Sequence, residues 1–515
     1  MGAAAGKREK CPQNTKGKMP PVWRALNIFR PPFFGKNASE KRFFALFRFP
    51  GQIPHYNIIK IYKRLLIIPV RCAKLYGNNY FFSKRGVYMK TIFEFSPEEL
   101  RAFKDQAQKE YDELKARHLD INMARGKPCA EQLALSTELF DLDLAQCGYK
   151  AEDGTDCRNY GLMCGIPEAR RLFGELFGVD AKNVIACGSS SLNLMFDYFS
   201  QCYTHGVAGS TPWSKVDGYK IIAVVPGYDR HFAVAEYFGA QLVSVKMTAD
   251  GPDMDAIEEL VKDPTVKGMF CVPKYSNPDG ITYSDETVER LAAMKTAAED
   301  FRVIWDEAYI IHDLYEEKDE LANVFDIARK YGNEDRFVAF ASTSKITYPG
   351  AGVSAIAASD ANIDEIKKRL TVQIISYDKL NQLRHSFLYR NLDDLKAQMV
   401  RHAEILRPKF AKMSEVLHKR LDGLGVASWT DPKGGYFISL DVNVGSAKYV
   451  GKLCSECGIT LTGVGATFPY GKDPDDANIR LAPSCPTVDE IEAAAEVICA
   501  SVKLAAAAEV MSEKA

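Results

Sequence analysis

The 515-residue sequence has no apolar run long enough to cross a bilayer as a helix, and no internal repeat. It also lacks a cysteine pattern that would staple a small fold. Its 13 cysteines are odd in number and scattered, so they read as reduced thiols rather than a disulfide framework. Cys454-Ser-Glu-Cys457 is the one Cys-x-x-Cys, with no second pair at zinc spacing. It sits in a helical pattern ending at Gly458, reads as ordinary helix residues, and gives no reason to expect a metal. Acids are almost missing from residues 1–88, which hold 18 Lys and Arg against 2 Asp and Glu. Residues 89–515 carry the opposite bias, 48 against 65, so the net charge of −1 conceals a basic leader on an acidic body.

The leader is rich in Arg, Lys, Phe and Pro. It shows no helix-turn-helix or finger spacing, so only its charge speaks for a nucleic-acid arm. Its low acid content suits a targeting peptide, but its length does not. Ile58 to Val70 could form a short basic amphipathic helix. The reading adopted is that translation starts at Met89, where the composition changes abruptly to Lys90-Thr-Ile-Phe-Glu-Phe-Ser-Pro-Glu-Glu. Residues 1–88 are then a leader outside the folded body or absent from the native protein.

The body has an ordinary soluble composition and a length that allows several domains. Ser96-Pro-Glu-Glu predicts a helix start, with a serine cap, proline in the first turn and acids beside it; the helix should run through Arg117. Gly165-Ile-Pro-Glu opens another, through Phe177. From Asn183 onward, seven short apolar runs alternate with helical patterns. They are 183–187, 220–225, 241–245, 268–272, 302–305, 337–341 and 353–358. Buried runs joined by helices predict an α/β fold with a mainly parallel seven-stranded sheet covered on both faces. Helical patterns then dominate from Ile363 to Leu421. Gly434 to Asp441 and Asn478 to Leu481 read as strands, and Val488 to about Glu509 as an alanine-rich helix. The expected division is 89–140 and 371–515 as a smaller α+β domain, with 141–370 as the large domain.

Ligands in such sheets gather at the carboxyl ends of the strands, and the residues with chemical potential fall there. Ser342-Thr-Ser-Lys345 delivers one lysine at a strand exit; in an apolar wall its amine would lose its proton more readily and become a nucleophile. Taken alone it reads better as a surface lysine just past a strand, since Ser-x-Ser-Lys is short and common. Asp306 ends the apolar strand Val303-Ile-Trp-Asp, a costly place for a carboxylate unless it meets a cation such as a protonated ring nitrogen. Tyr309 follows three residues later. Gly188-Ser189-Ser190-Ser191 lies between strand and helix, where backbone N–H groups and hydroxyls can cradle a phosphate, or where a serine simply caps the helix. Tyr228 could stack on an aromatic ring or merely pack. Asn277-Pro-Asp-Gly is a turn by composition, with an amide that could bond a ligand oxygen. Arg480, on a half-buried strand, has the fork for a carboxylate grip or for a structural salt bridge.

The order and spacing of these motifs resemble the class I/II aminotransferases of the pyridoxal-phosphate-dependent transferase fold type I, and among them the bacterial subgroup 1c aspartate aminotransferases. The matching stretches include Asn159-Tyr-Gly-Leu-Met-Cys-Gly-Ile-Pro-Glu, Val225-Pro-Gly-Tyr-Asp-Arg-His-Phe, Val272-Pro-Lys-Tyr-Ser-Asn-Pro and Ser342-Thr-Ser-Lys-Ile-Thr-Tyr-Pro-Gly-Ala-Gly. The resemblance covers residues 89–515 and none of the leader. It implies pyridoxal 5′-phosphate as cofactor, held as a Schiff base by Lys345. Asp306 would keep its ring nitrogen protonated, Asn277 and Tyr309 would bond its phenolic oxygen, and Tyr228 would stack on the ring. Ser189, Ser190, Ser342 and Ser344 are the implied phosphate contacts. Tyr160 would reach the phosphate of a neighbouring subunit, making the active unit a homodimer. Arg480 would bind the substrate α-carboxylate with help from the Gly126 backbone, and Arg125 is a candidate for the side-chain carboxylate.

The implied reaction moves the amino group of L-aspartate to 2-oxoglutarate by a ping-pong mechanism, in the cytoplasm, with small-molecule partners and neither nucleic acid nor membrane. Two departures stand out. The family's usual phosphate-binding arginine, eight residues after the lysine, is Val353 here, and Asn-Pro-Thr-Gly reads Asn-Pro-Asp-Gly. The rival readings are β-elimination or decarboxylation on the same fold, or another amino-acid substrate. A transcription regulator with an aminotransferase-like domain is a further rival, but the leader shows no winged-helix pattern for it.

Overall fold

A computed structural model describes residues 90–207 and 209–514. The expectations for the leader, including a helix at Ile58–Val70 and a start at Met89, fall outside the described residues.

The largest sheet has eight strands: β1 (Val184–Ala186), β2 (Lys220–Val225), β3 (Gln241–Thr248), β4 (Gly251–Pro252), β5 (Val266–Cys271), β6 (Arg302–Asp306), β7 (Phe337–Ser342) and β8 (Ser354–Ala358). Their order is β1-β8-β7-β6-β5-β2-β3-β4. The pairs β7–β6, β6–β5, β5–β2 and β2–β3 are parallel; β8 runs against both of its neighbours. The seven expected strands are all present. The eighth, β4, is a two-residue antiparallel edge on β3, too short to leave a periodic signature.

The apolar runs become strands because both faces of this sheet are covered. Along the central strands alternate side chains enter opposite cores. Met269, Val303, Trp305, Phe337 and Ala339 point one way; Phe270, Ile304, Val338 and Phe340 point the other. Such strands read as continuous hydrophobic runs. Each full burial of a large apolar side chain contributes roughly 1.5–3 kcal/mol.

Outside the sheet, α1 (Pro97–Lys115) starts as its sequence predicts. Ser96 Oγ accepts from Glu99 N at 3.2 Å, while Glu99 accepts from Ser96 N at 2.7 Å, a reciprocal cap. It ends two residues before Arg117, an ordinary fraying difference. The helices that concern the site are α2 (Pro167–Phe177), α3 (Ser191–His205), α4 (Asp229–Tyr237), α5 (Lys379–Leu388), α6 (Leu392–Leu421) and α7 (Val488–Glu513). A three-stranded antiparallel sheet joins β9 (Ala427–Trp429), β10 (Ile438–Val442) and β11 (Asn478–Leu481). It shares a core with α1, α6 and α7.

β10 begins four residues later than the run from Gly434 suggests. Gly434 and Gly435 pass against Tyr275, whose ring lies 2.2 Å from where a Cβ of Gly434 would stand, and Gly435 has φ +78°. That close approach, rather than sheet pairing, is what the two glycines serve. No helix among the described residues is long and apolar enough to cross a membrane.

Candidate active site

The site is built at the carboxyl ends of β6 and β7. Asp306 is the last residue of β6 and pairs in register with Phe340 of β7. It is 2% exposed. His231, on the first turn of α4, places Nε2 3.1 Å from Asp306 Oδ2. The imidazole is fixed by stacking on Phe270, with ring centroids 4.7 Å apart, and by the edge of Tyr228 at 5.0 Å. The other carboxylate oxygen, Oδ1, is buried and has no hydrogen-bond partner among the described residues. A buried, unpaired carboxylate oxygen is costly in isolation, so this atom is a ready acceptor for a cationic N–H.

After β7 the chain turns through the 3₁₀ segment Thr343–Lys345. Lys345 Nζ lies 4.8 Å from the centroid of the Tyr309 ring. Burial lowers the lysine's pKa, and Asp306 only partly opposes it. The neutral, nucleophilic amine is therefore easier to reach than in water. Burial also raises the phenol of Tyr309 well above its ordinary value and pushes that of Tyr228 up to about 12. Both remain hydrogen-bond donors at neutral pH.

Opposite them, Arg480 projects from β11 and is 6% exposed. Its guanidinium lies over Phe437, 4.9 Å from the ring centroid. Nη1 donates to Asp229 Oδ1 at 2.9 Å and to Asn277 Oδ1 at 3.1 Å. Gly126 closes this side: a Cβ there would stand 2.6 Å from Phe437 Cζ, so only glycine lets the backbone come so near without moving the ring.

These groups open on one cavity of about 200 Å³. Of the residues singled out in the sequence, Lys345, Asp306, Tyr309, Asn277, Tyr228, Arg480, Gly126 and Arg125 line it. Ser189, Ser190, Ser342, Ser344 and Tyr160 do not. The hydroxyls of Ser342 and Ser344 both donate to the Ser189 carbonyl, at 3.0 and 2.9 Å, while Ser190 Oγ caps α3 by accepting from Asn193 N. Tyr160 is 76% exposed. Val353, at the arginine position of the family pattern, is buried in the core against the sheet.

Ser191, the last residue of the serine turn, also lines the cavity, whereas Asp229, Arg230 and Phe437 in its wall, together with His231 behind Asp306, carried no role in the sequence. Asp229-Arg-His follows Tyr228 directly at a helix start. The spacing from Tyr228 to His231 is one helical turn, which sets both on one face; that spacing was the available signal.

Residues 95–514 match the family described as aspartate amino-transferase. The chain is 46% identical over 418 residues to the aspartate aminotransferase of Corynebacterium glutamicum, covering 81% of this chain and 96% of that protein. A crystal structure of an aspartate transaminase from the same organism superposes with a TM-score of 0.80 at 46% identity, covering 82% of this chain and 99% of that one. The α-aminoadipate aminotransferase of Thermus thermophilus, solved with N-(5′-phosphopyridoxyl)-L-leucine, shares the fold at 21% identity, with a TM-score of 0.61 over 76% of this chain and 94% of that one. The chain is an aminotransferase of the pyridoxal-phosphate-dependent fold type I and belongs to the aspartate amino-transferase family.

Proposed function

We propose that the protein transfers the amino group of L-aspartate to 2-oxoglutarate, giving oxaloacetate and L-glutamate, with pyridoxal 5′-phosphate as its cofactor. One observation carries the reading. A lysine with a lowered pKa, a buried aspartate with one oxygen unpartnered among the described residues and a buried arginine face a single cavity.

The residues fit the cofactor. Asp306 Oδ1 suits a protonated ring nitrogen. The Asn277 amide, whose oxygen is engaged by Arg480, keeps its N–H₂ for the ring oxygen beside Tyr309. Tyr228 offers a flat face. Ser189, Ser190, Ser342 and Ser344 are the phosphate candidates at the α3 end, joined by Ser191 at the cavity wall, where a helix N-terminus favours an anion. The exposed Tyr160 is suited to reach a neighbouring subunit's phosphate, so the active unit is a homodimer. When bound, the cofactor supplies a sink for the electron pair left as the substrate's α-proton departs.

The chain's own residues do the rest. Lys345 Nζ would take that proton from the substrate Cα and return it two atoms away, to the carbon across the bridging nitrogen, as base and then acid. Asp306, oriented by His231, holds the ring nitrogen's proton in place. Arg480 grips the α-carboxylate with the Gly126 backbone alongside. Arg125 and Arg230, also on the wall, are the available cations for a second carboxylate. Distinct cores on the main sheet and around α1 and α7 favour the division into a large domain at 141–370 and a small one at 89–140 with 371–515, although Leu395 and Met399 at the start of α6 pack into the sheet's core. The free cysteines of the described residues favour a reducing, cytoplasmic setting.

A panel of amino donors with 2-oxoglutarate tests the assignment. Aspartate should lead by at least about tenfold in kcat/KM, roughly the value of one charged contact. Faster turnover of a neutral amino acid, or release of ammonia or carbon dioxide, would overturn it.

A further inference from the structure

Behind Lys345 lies a buried polar frame that the reaction as described does not use. Gln132, on the short helix Ala130–Ala134, and His402, in the middle of α6, are both 0% exposed, and Tyr436 is 1% exposed. The direction of every hydrogen bond in the frame follows from one donor. The backbone N–H of Cys129 donates to Gln132 Oε1 at 3.1 Å, which fixes the amide's orientation. Gln132 Nε2 must then donate both its hydrogens, one to Tyr436 Oη at 2.9 Å and one to His402 Nδ1 at 2.9 Å. With Nδ1 accepting, His402 is neutral and carries its proton on Nε2, which donates to the Ile346 carbonyl at 2.9 Å. Gln398 Nε2, 3.4 Å from the same ring nitrogen, is committed to Ser136 Oγ and the Leu135 carbonyl. Tyr436 has accepted from Gln132, so its own proton goes to the Lys345 carbonyl at 3.4 Å.

We propose that Gln132, His402 and Tyr436 form a positioning frame for Lys345. It holds the carbonyls of Lys345 and Ile346 so that the lysine's Cα–Cβ bond aims its amine into the cavity. The frame starts from the same segment that carries Gly126 and Arg125, so the substrate-facing backbone and the lysine are set by one connected network. This inference rests on the reading that Lys345 is the reacting amine. A displacement of reacting atoms by about 1 Å can lower a rate on the order of a hundredfold, and a half-satisfied buried network loses its rigidity.

The test uses the full chain loaded with pyridoxal phosphate. The visible absorbance of the bound cofactor is titrated with pH, kcat and KM are measured, and thermal unfolding is recorded for His402→Leu, His402→Gln and Tyr436→Phe. His402→Leu should move the absorbance midpoint by about half a pH unit or more and lower kcat about 10–100-fold, with KM for the amino donor within about threefold, the pattern of a lost orientation rather than lost binding. His402→Gln, which restores an N–H near the Nε2 position, should recover most of kcat and the original midpoint. Tyr436→Phe, which removes one oxygen and keeps the ring, should shift the midpoint in the same direction by less; it carries the test if His402→Leu does not fold. Unchanged midpoint and kcat in the folded variants, or equal impairment of the Gln and Leu replacements, overturns the frame. Borohydride reduction of the unaltered protein separates the two readings: no adduct on Lys345 sinks the assignment of the lysine, whereas an adduct with silent variants sinks only the frame.

Discussion

Arg480 and Asp229 form an ion pair in the cavity wall, with Nη1 2.9 Å from Oδ1 and the guanidinium almost wholly buried. Asp229 also stands 3.8 Å from the Nε of Arg230. The aspartate thus occupies part of the fork that a substrate carboxylate needs. It competes for the guanidinium and repels a second negative charge.

Asp229→Asn should therefore lower KM for a dicarboxylic amino donor by about three- to tenfold, up to about 1.4 kcal/mol, with kcat changed less than about threefold. Steady-state kinetics with aspartate decide it. A raised KM would mean that Asp229 orients Arg480 more than it competes with the substrate.

His231→Leu removes the one hydrogen-bond partner that Asp306 Oδ2 has among the described residues. A buried acceptor left unpaired costs about 1–3 kcal/mol, so kcat should fall roughly ten- to hundredfold, with a smaller change in KM. An unaffected kcat would show that Asp306 needs no such orientation.

Gly126→Ala would set a Cβ against the Phe437 ring that underlies Arg480. Displacing that ring should raise KM for the amino donor several-fold, by about 1 kcal/mol as overpacking of a tight contact does, and leave the lysine's reaction with cofactor intact. Equal KM values in the two proteins would place the ring outside the binding geometry.

Buried neutral histidines make the fold less stable in acid. Burial pushes His402 and His385 each down to about 4 from an ordinary value near 6.5. Between those limits the unfolded chain binds protons that the folded chain does not, so each histidine makes stability fall as pH falls from about 6.5 towards 4. His402→Gln removes one such group, worth at most about 3 kcal/mol over that window. The unfolding free energy of the variant should therefore gain on the unaltered protein as pH drops from 7 to 4.5, and the difference should be flat from pH 7 to 9. Glu307 and Asp279, both pushed up to about 7 by burial, act in the opposite direction but are common to both proteins. A difference independent of pH would contradict a neutral buried His402.

Much of this was legible in the sequence because the large sheet is buried on both faces, so that strands such as 220–225 and 337–342 announce themselves as apolar runs. Asp306 was legible for the same reason: a charge ending such a run breaks the pattern. What escaped has physical causes. The pairing of Ile121–Asn122 with Ile459–Thr460 joins segments hundreds of residues apart through two residues each, and no local periodicity encodes it. Asp229 and Phe437 are unremarkable residue types whose roles arise only from what the fold brings beside them, and His231 offered no signal beyond its one-turn spacing from Tyr228. Ser189 to Ser191 were legible as a strand-to-helix turn, but not the engagement of the Ser342 and Ser344 hydroxyls with the Ser189 carbonyl, because hydroxyls turn to whatever acceptor the backbone offers.

The central claim is that Lys345 is the amine that holds the cofactor. Reduction of the pyridoxal phosphate-loaded protein with borohydride, followed by peptide mapping by mass spectrometry, tests it most directly. One phosphopyridoxyl group per chain is expected, on Lys345, and none in a Lys345→Ala variant that also lacks turnover. Labelling of another lysine such as Lys274, or near-normal transamination by Lys345→Ala, would contradict it.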